Sequence, residues 1–84
     1  MNYSVLTTEN FEKEARRLIK KYGSLKNEIA DLIQDLQINP TQGTPLGNNI
    51  YKIRVAVASK GKGKRGGVRV MTYLQLIARI ANPH

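Results

Sequence analysis

Two stretches of this chain alternate in hydropathy with period two, and a glycine- and cation-rich segment separates them. In IYKIRVAVAS, Tyr51, Ile53, Val55 and Val57 alternate with Lys52, Arg54, Ala56 and Ala58. In VRVMTYL, Val68, Val70, Thr72 and Leu74 alternate with Arg69, Met71 and Tyr73. Successive residues of a strand point to opposite faces, so each stretch predicts a half-buried strand with one apolar face. Between them, Gly61-Lys62-Gly63-Lys64-Arg65-Gly66 satisfies G-x-G-x-x-G as a string. That pattern cradles a dinucleotide only when a helix follows the glycines and an acid lies about twenty residues further on. Here a β-branched, alternating segment follows, and no acid follows at all. No Gly-Lys pair is followed by Ser or Thr, so a Walker-type loop fails too. GKGKRGG is therefore read as the wide connection of an antiparallel hairpin.

The apolar face of that hairpin needs a cover, and the preceding residues supply one. Phe11, Ala15, Leu18, Ile19 and Tyr22 recur at helical spacing. Thr8 predicts the N-cap, with Glu9 and Glu12 at the positive end of the dipole. Gly23 predicts the stop, and Ser24 the cap of a second helix. Leu25, Ile29, Leu32, Ile33 and Leu36 form its stripe, ended by Asn39-Pro40. A short turn makes the pair an antiparallel helical hairpin. Asn2–Thr7 alternates as a short N-terminal strand would, and residues 39–49 read as a loop rich in Pro, Gly and Asn. Residues 74–81 suit a strand and a helix equally. The expectation is one α+β domain over residues 1–84: an N-terminal strand, then a two-helix hairpin packed on one face of a small antiparallel sheet.

Charge is segregated along the chain. Residues 1–38 hold six acids and six bases, whereas residues 39–84 hold eight Lys/Arg and no Asp or Glu, so the net charge of +8 resides in the second half. Solubility does not require segregation. A one-signed field of this kind attracts polyanions, and nucleic acid is the obvious one. With no amphipathic basic helix in that half, no span-length apolar run and no apolar signal core at the N-terminus, a soluble cytoplasmic protein without a membrane partner is expected. There is no cysteine, hence no disulfide and no thiolate metal site.

Period two places Lys52, Arg54, Arg69 and Tyr73 together on the sheet face that the helices leave open. Lys60, Lys62, Lys64 and Arg65 belong to the end of the hairpin. This cationic surface with one phenol and no carboxylate suits a phosphodiester backbone. Metal-free RNA cleavage asks for charge stabilisation at the phosphorane and a proton for the leaving 5′-oxygen. Arg and Lys supply the first, and a Lys crowded by cations can transfer protons. The single histidine, His84, is the last residue, and no carboxylate set stands in the basic half to hold a metal, so neither a metal nor another cofactor is expected. On the residues alone, binding and cleavage both remain open.

The order of elements, the NP-x-x-G-T-P-L-G loop at 39–47, the Y-K-I-R strand at 51–54 and G-K-G-K-x-G-G-x-R-V at 61–70 together resemble the RelE/ParE superfamily of bacterial type II toxins, especially its RelE- and HigB-type members. The resemblance covers roughly residues 3–73. It implies a ribosome-dependent endoribonuclease (an mRNA interferase) and a cognate antitoxin that wraps it. By position, Lys52 and Arg54 match the basic residues of the family's second strand, and Arg69 matches the arginine of the following strand. That makes Arg54 and Arg69 the candidates for phosphate and transition-state contacts, with Lys52 a further catalytic candidate. Lys62 and Lys64 match the basic hairpin that holds RNA or ribosome, either of them a candidate for proton transfer, and Lys60 and Arg65 extend it. Tyr73 is a further catalytic candidate. Family members run on through another turn and strand, whereas residues 74–84 here read LQLIARIANPH. That departure implies a shortened C-terminus and an unpaired sheet edge open to a second copy. It also keeps two further functions in view: a non-catalytic homologue that binds RNA or antitoxin, and a ParE-like gyrase inhibitor.

Overall fold

The computed structural model describes residues 3–60 and 67–75. Helix α1 spans Glu9–Lys21 and opens as its sequence predicts: Thr8 is the N-cap, and its hydroxyl accepts the Phe11 N–H at 3.0 Å. Glu9 and Glu12 occupy the first turn, and Lys20 and Lys21 the last, so charge follows the macrodipole at both ends. The stop comes from Tyr22, an extended C-cap, and not from Gly23, which has no positive φ. Helix α2 spans Leu25–Ile38 and ends at Asn39, before Pro40, where the ring of a proline disfavours helical backbone in the residue ahead of it.

The sheet is three-stranded and antiparallel, in the order β1–β2–β3. Strand β2 is Ile50–Val55 and β3 is Val68–Tyr73, the two alternating stretches. Strand β1, Thr44–Gly47, lies within the segment expected to be loop. Asn48 (φ 55°) and Asn49 (φ 63°) turn β1 into β2 as a two-residue connection of the primed type, whose twist matches that of the strands. A strand containing Pro45 is tolerated because β1 is at the edge, and the proline also blunts that edge. Strand β2 stops at Val55; Ala58–Lys60 form a single 3₁₀ turn instead of continuing it.

Leu32 and Leu36 of α2 bury against Ile53 of β2, and Val5, Val55 and Val70 pack around them. Leu25 and Val57, each 1% exposed, are the most buried side chains. The stripe of α1 is only half-buried. The expected N-terminal strand is absent from residues 3–8, which join no ladder. The Tyr3 N–H instead donates to the Gln37 carbonyl at 2.7 Å, one of the oxygens that the end of α2 leaves without an intrahelical partner. A helix end thus takes the amide that strand pairing would need, while Val5 still reaches the core. Residues 61–66 and 76–84 lie outside the described residues, and with them the hairpin tip and the strand-or-helix question at 76–81. Among the described residues no helix is long and apolar enough to cross a membrane.

Gly43 enters β1 at φ +98°, and a Cβ there would lie 2.5 Å from the Lys52 carbonyl oxygen and 2.8 Å from Ile53 Cγ1. Gly43→Ala therefore carries both a left-handed conformation and a backbone clash. It should lower unfolding stability by more than about 1 kcal/mol in urea titrations. Gly23→Ala, which meets nothing within 4 Å, should stay within about 0.5 kcal/mol of the parent.

Candidate nucleic-acid interface

The register of β2 against β3 decides how the cations meet. Ile53 stands opposite Val70 on the core side, so the next pair, Arg54 opposite Arg69, must face outward. Lys52 is opposite Met71, and Ile50 is opposite Tyr73 on the same face. Arg54 and Arg69 are exposed and Lys52 is half-buried. None of the three makes a side-chain hydrogen bond or ion pair to another described residue; the ion pair among these residues is Arg17–Glu14, on α1. Like charges directly opposite across a ladder destabilise it by roughly 0.2–1 kcal/mol. The face thus carries an uncompensated electrostatic cost at its most cationic point. An anion seated between the two guanidinium groups reverses the sign of that cost and can receive several charge-assisted hydrogen bonds.

The four open-face candidates do not gather round one point. Lys52 is the in-strand neighbour of Arg54 and the diagonal neighbour of Arg69, each about 7 Å away. Tyr73 is four residues along β3 from Arg69, about 13 Å at the strand rise. It stands with Met71 in the less charged half of the face, 65% and 58% exposed respectively. Tyr73 also borders a groove of about 310 Å³ between Tyr3–Leu6, Leu36 and the end of β3. The apolar members, half-buried Ile50 and exposed Met71, carry the same period-two signal as the arginines, which reading for charge alone passes over.

Lys60 belongs to a different place. Its ammonium lies 4.9 Å from the ring centroid of Tyr22, at the junction of α1 and α2, with Lys21 at 5.5 Å from the same ring. Lys62, Lys64 and Arg65 lie outside the described residues.

A second polar cluster, unforeseen in the sequence, joins that junction to the turn after β2. The hydroxyl of Ser24 does not cap α2; it donates to Glu28 Oε1 at 3.1 Å and accepts the Ser59 N–H at 2.9 Å. The Ala58 N–H donates to Glu28 Oε2 at 2.9 Å, and the Ser24 and Ser59 hydroxyls meet at 2.8 Å. The partners are 30 to 35 residues apart, which is why no local pattern announces them.

No protein-family model, curated protein or solved structure matches this chain. The likeness to the toxin superfamily therefore rests on the quoted sequence motifs alone.

If the arginine pair is repulsive, replacing one member with an acid should relieve it. Arg69→Glu is expected to be more stable than Arg69→Gln by about 0.2–1 kcal/mol, because Glu and Arg54 attract across the ladder. The wild-type urea midpoint should rise as salt increases to ~0.2 M, as screening weakens the repulsion. An Arg69→Glu protein less stable than Arg69→Gln would contradict the pairing.

Proposed function

We propose that the open sheet face is an interface for RNA backbone, and that the chain acts as the toxin of a type II toxin–antitoxin pair, a ribosome-dependent mRNA endoribonuclease. The observation that carries this reading is the direct opposition of Arg54 and Arg69, without a carboxylate among the described residues to pair with either. Two guanidinium groups that the register brings side by side can stabilise negative charge that grows on a phosphoryl centre. The 2′-oxygen forms a bond to phosphorus, the bond to the 5′-oxygen breaks, and a cyclic phosphate and a free 5′-hydroxyl result. In this reading Lys52, the neighbour of both arginines, hands a proton to the 5′-oxygen and regains one from the 2′-hydroxyl. Tyr73, about 13 Å along the strand from Arg69, is read as a contact further along the RNA. An antitoxin that neutralises the face would quench both the repulsion and the activity.

The decisive experiment is mRNA cleavage on programmed ribosomes. Wild-type protein should cut, and Arg54→Ala or Arg69→Ala should each lose about 10²-fold or more in rate, the usual effect of removing one preorganised donor. Absence of cleavage together with absence of growth inhibition on expression overturns the enzymatic reading. Salt-sensitive RNA binding without cleavage points to a non-catalytic homologue, and inhibition of gyrase supercoiling to a ParE-like activity. Binding of single strands should weaken with salt by about 0.7 log units per decade for each phosphate held.

A further inference from the structure

We infer that Glu28 and Ser24 are positioning residues for the RNA interface: they latch the turn from which the cationic hairpin departs. This inference rests on the reading of the basic half as an RNA surface. Its evidence, however, lies away from the open face.

The hydrogens of the cluster resolve into one pattern. Glu28, as a carboxylate, only accepts, so the single proton of the Ser24 hydroxyl is committed to Glu28 Oε1. The contact between hydroxyls at 2.8 Å must then run from Ser59 to Ser24. Ser24 Oγ accepts both the Ser59 N–H and the Ser59 O–H, which fills its two lone pairs. The Ser24 N–H returns to Ser59 Oγ at 3.3 Å, and the Ala58 N–H goes to Glu28 Oε2. The neighbours of this network are the two most buried side chains, Leu25 and Val57. Polar latch and apolar plug together tie Ala58–Lys60 to the first turn of α2. Tyr22, one residue beyond the end of α1, receives Lys60 on its ring. The first cation of the run that continues into GKGKRGG is thereby fixed against the helical hairpin.

An acid is a costly choice for this task. Residues 39–84 contain no Asp or Glu, and a carboxylate against the turn that leads into their cation run weakens the field that draws a polyanion. If Glu28 acted only through its charge, removing it would tighten RNA binding. If it acts by holding the turn, removing it loosens Lys60, and binding weakens. The two roles predict opposite signs. Gln separates them. Its carbonyl can accept the Ala58 N–H and its amide can donate to Ser24 Oγ, whose proton then turns to Ser59, so the latch survives without the charge.

The test measures binding of the full chain to a single-stranded oligoadenylate over a salt series, with thermal unfolding and amide exchange of each variant. Glu28→Ala should bind more weakly, with a salt slope reduced by about 0.7, one phosphate contact on a single strand. Faster exchange at Ala58 and Ser59 should accompany it. Glu28→Gln should bind at least as tightly as wild type, with a wild-type slope and slow exchange. Ser24→Ala, which leaves net charge unchanged, guards against a Glu28→Ala protein that fails to fold, and should repeat its loss of slope. Wild-type affinity or tighter in both Glu28→Ala and Ser24→Ala overturns the inference while leaving the RNA reading intact. A wild-type protein that shows no salt-dependent binding overturns that reading and this inference with it.

Discussion

Ile53 is the residue on which the face depends. It is buried against Leu32 and Leu36 and stands opposite Val70. Burial of one side chain sets the parity of the whole strand, because a slip of one residue would send Ile53 outward and Arg54 into the apolar layer. An unpaired guanidinium in that layer is far more costly than roughly 1 kcal/mol of repulsion on the surface. The hydrophobic term thus wins over the electrostatic one by a wide margin, and two arginines end up opposed. The cationic character of the face follows from what the other face must bury.

The polar latch acts at the other end of β2. Strand pairing stops at Val55, and the chain would be free to leave the sheet in many directions. Val57 is buried, and the Ser24, Glu28 and Ser59 bonds hold the backbone that follows. A handful of hydrogen bonds, each worth about 1 kcal/mol net, suffices to choose one direction among several of similar energy. The open face and the hairpin root are therefore fixed by different physics, apolar parity for one and directional bonding for the other.

Much of this was legible in the residues. The stripes on α1 and α2, the Thr8 cap and the alternation of β2 and β3 are local signals whose periods survive in the folded chain. Two of the misreadings share one cause: a group with two potential partners. The Tyr3 amide chose a helix carbonyl over a strand, and the Ser24 hydroxyl chose a carboxylate and a distant amide over its own helix. β1 escaped notice because Pro45 and the glycines masked an edge strand, although Asn48-Asn49 was the turn that makes it.

By itself the sequence determined the types of α1, α2, β2 and β3, the segregation of charge and the side of the sheet its cations take, since these depend on spacing along the chain and on the two periods of regular backbone. Only the tertiary structure decided the rest. It set Arg54 against Arg69, because register is a relation between two strands. It also brought Glu28 to the Ala58 amide across 30 residues, because a hydrogen bond depends on distance in space and carries no trace of separation along the chain.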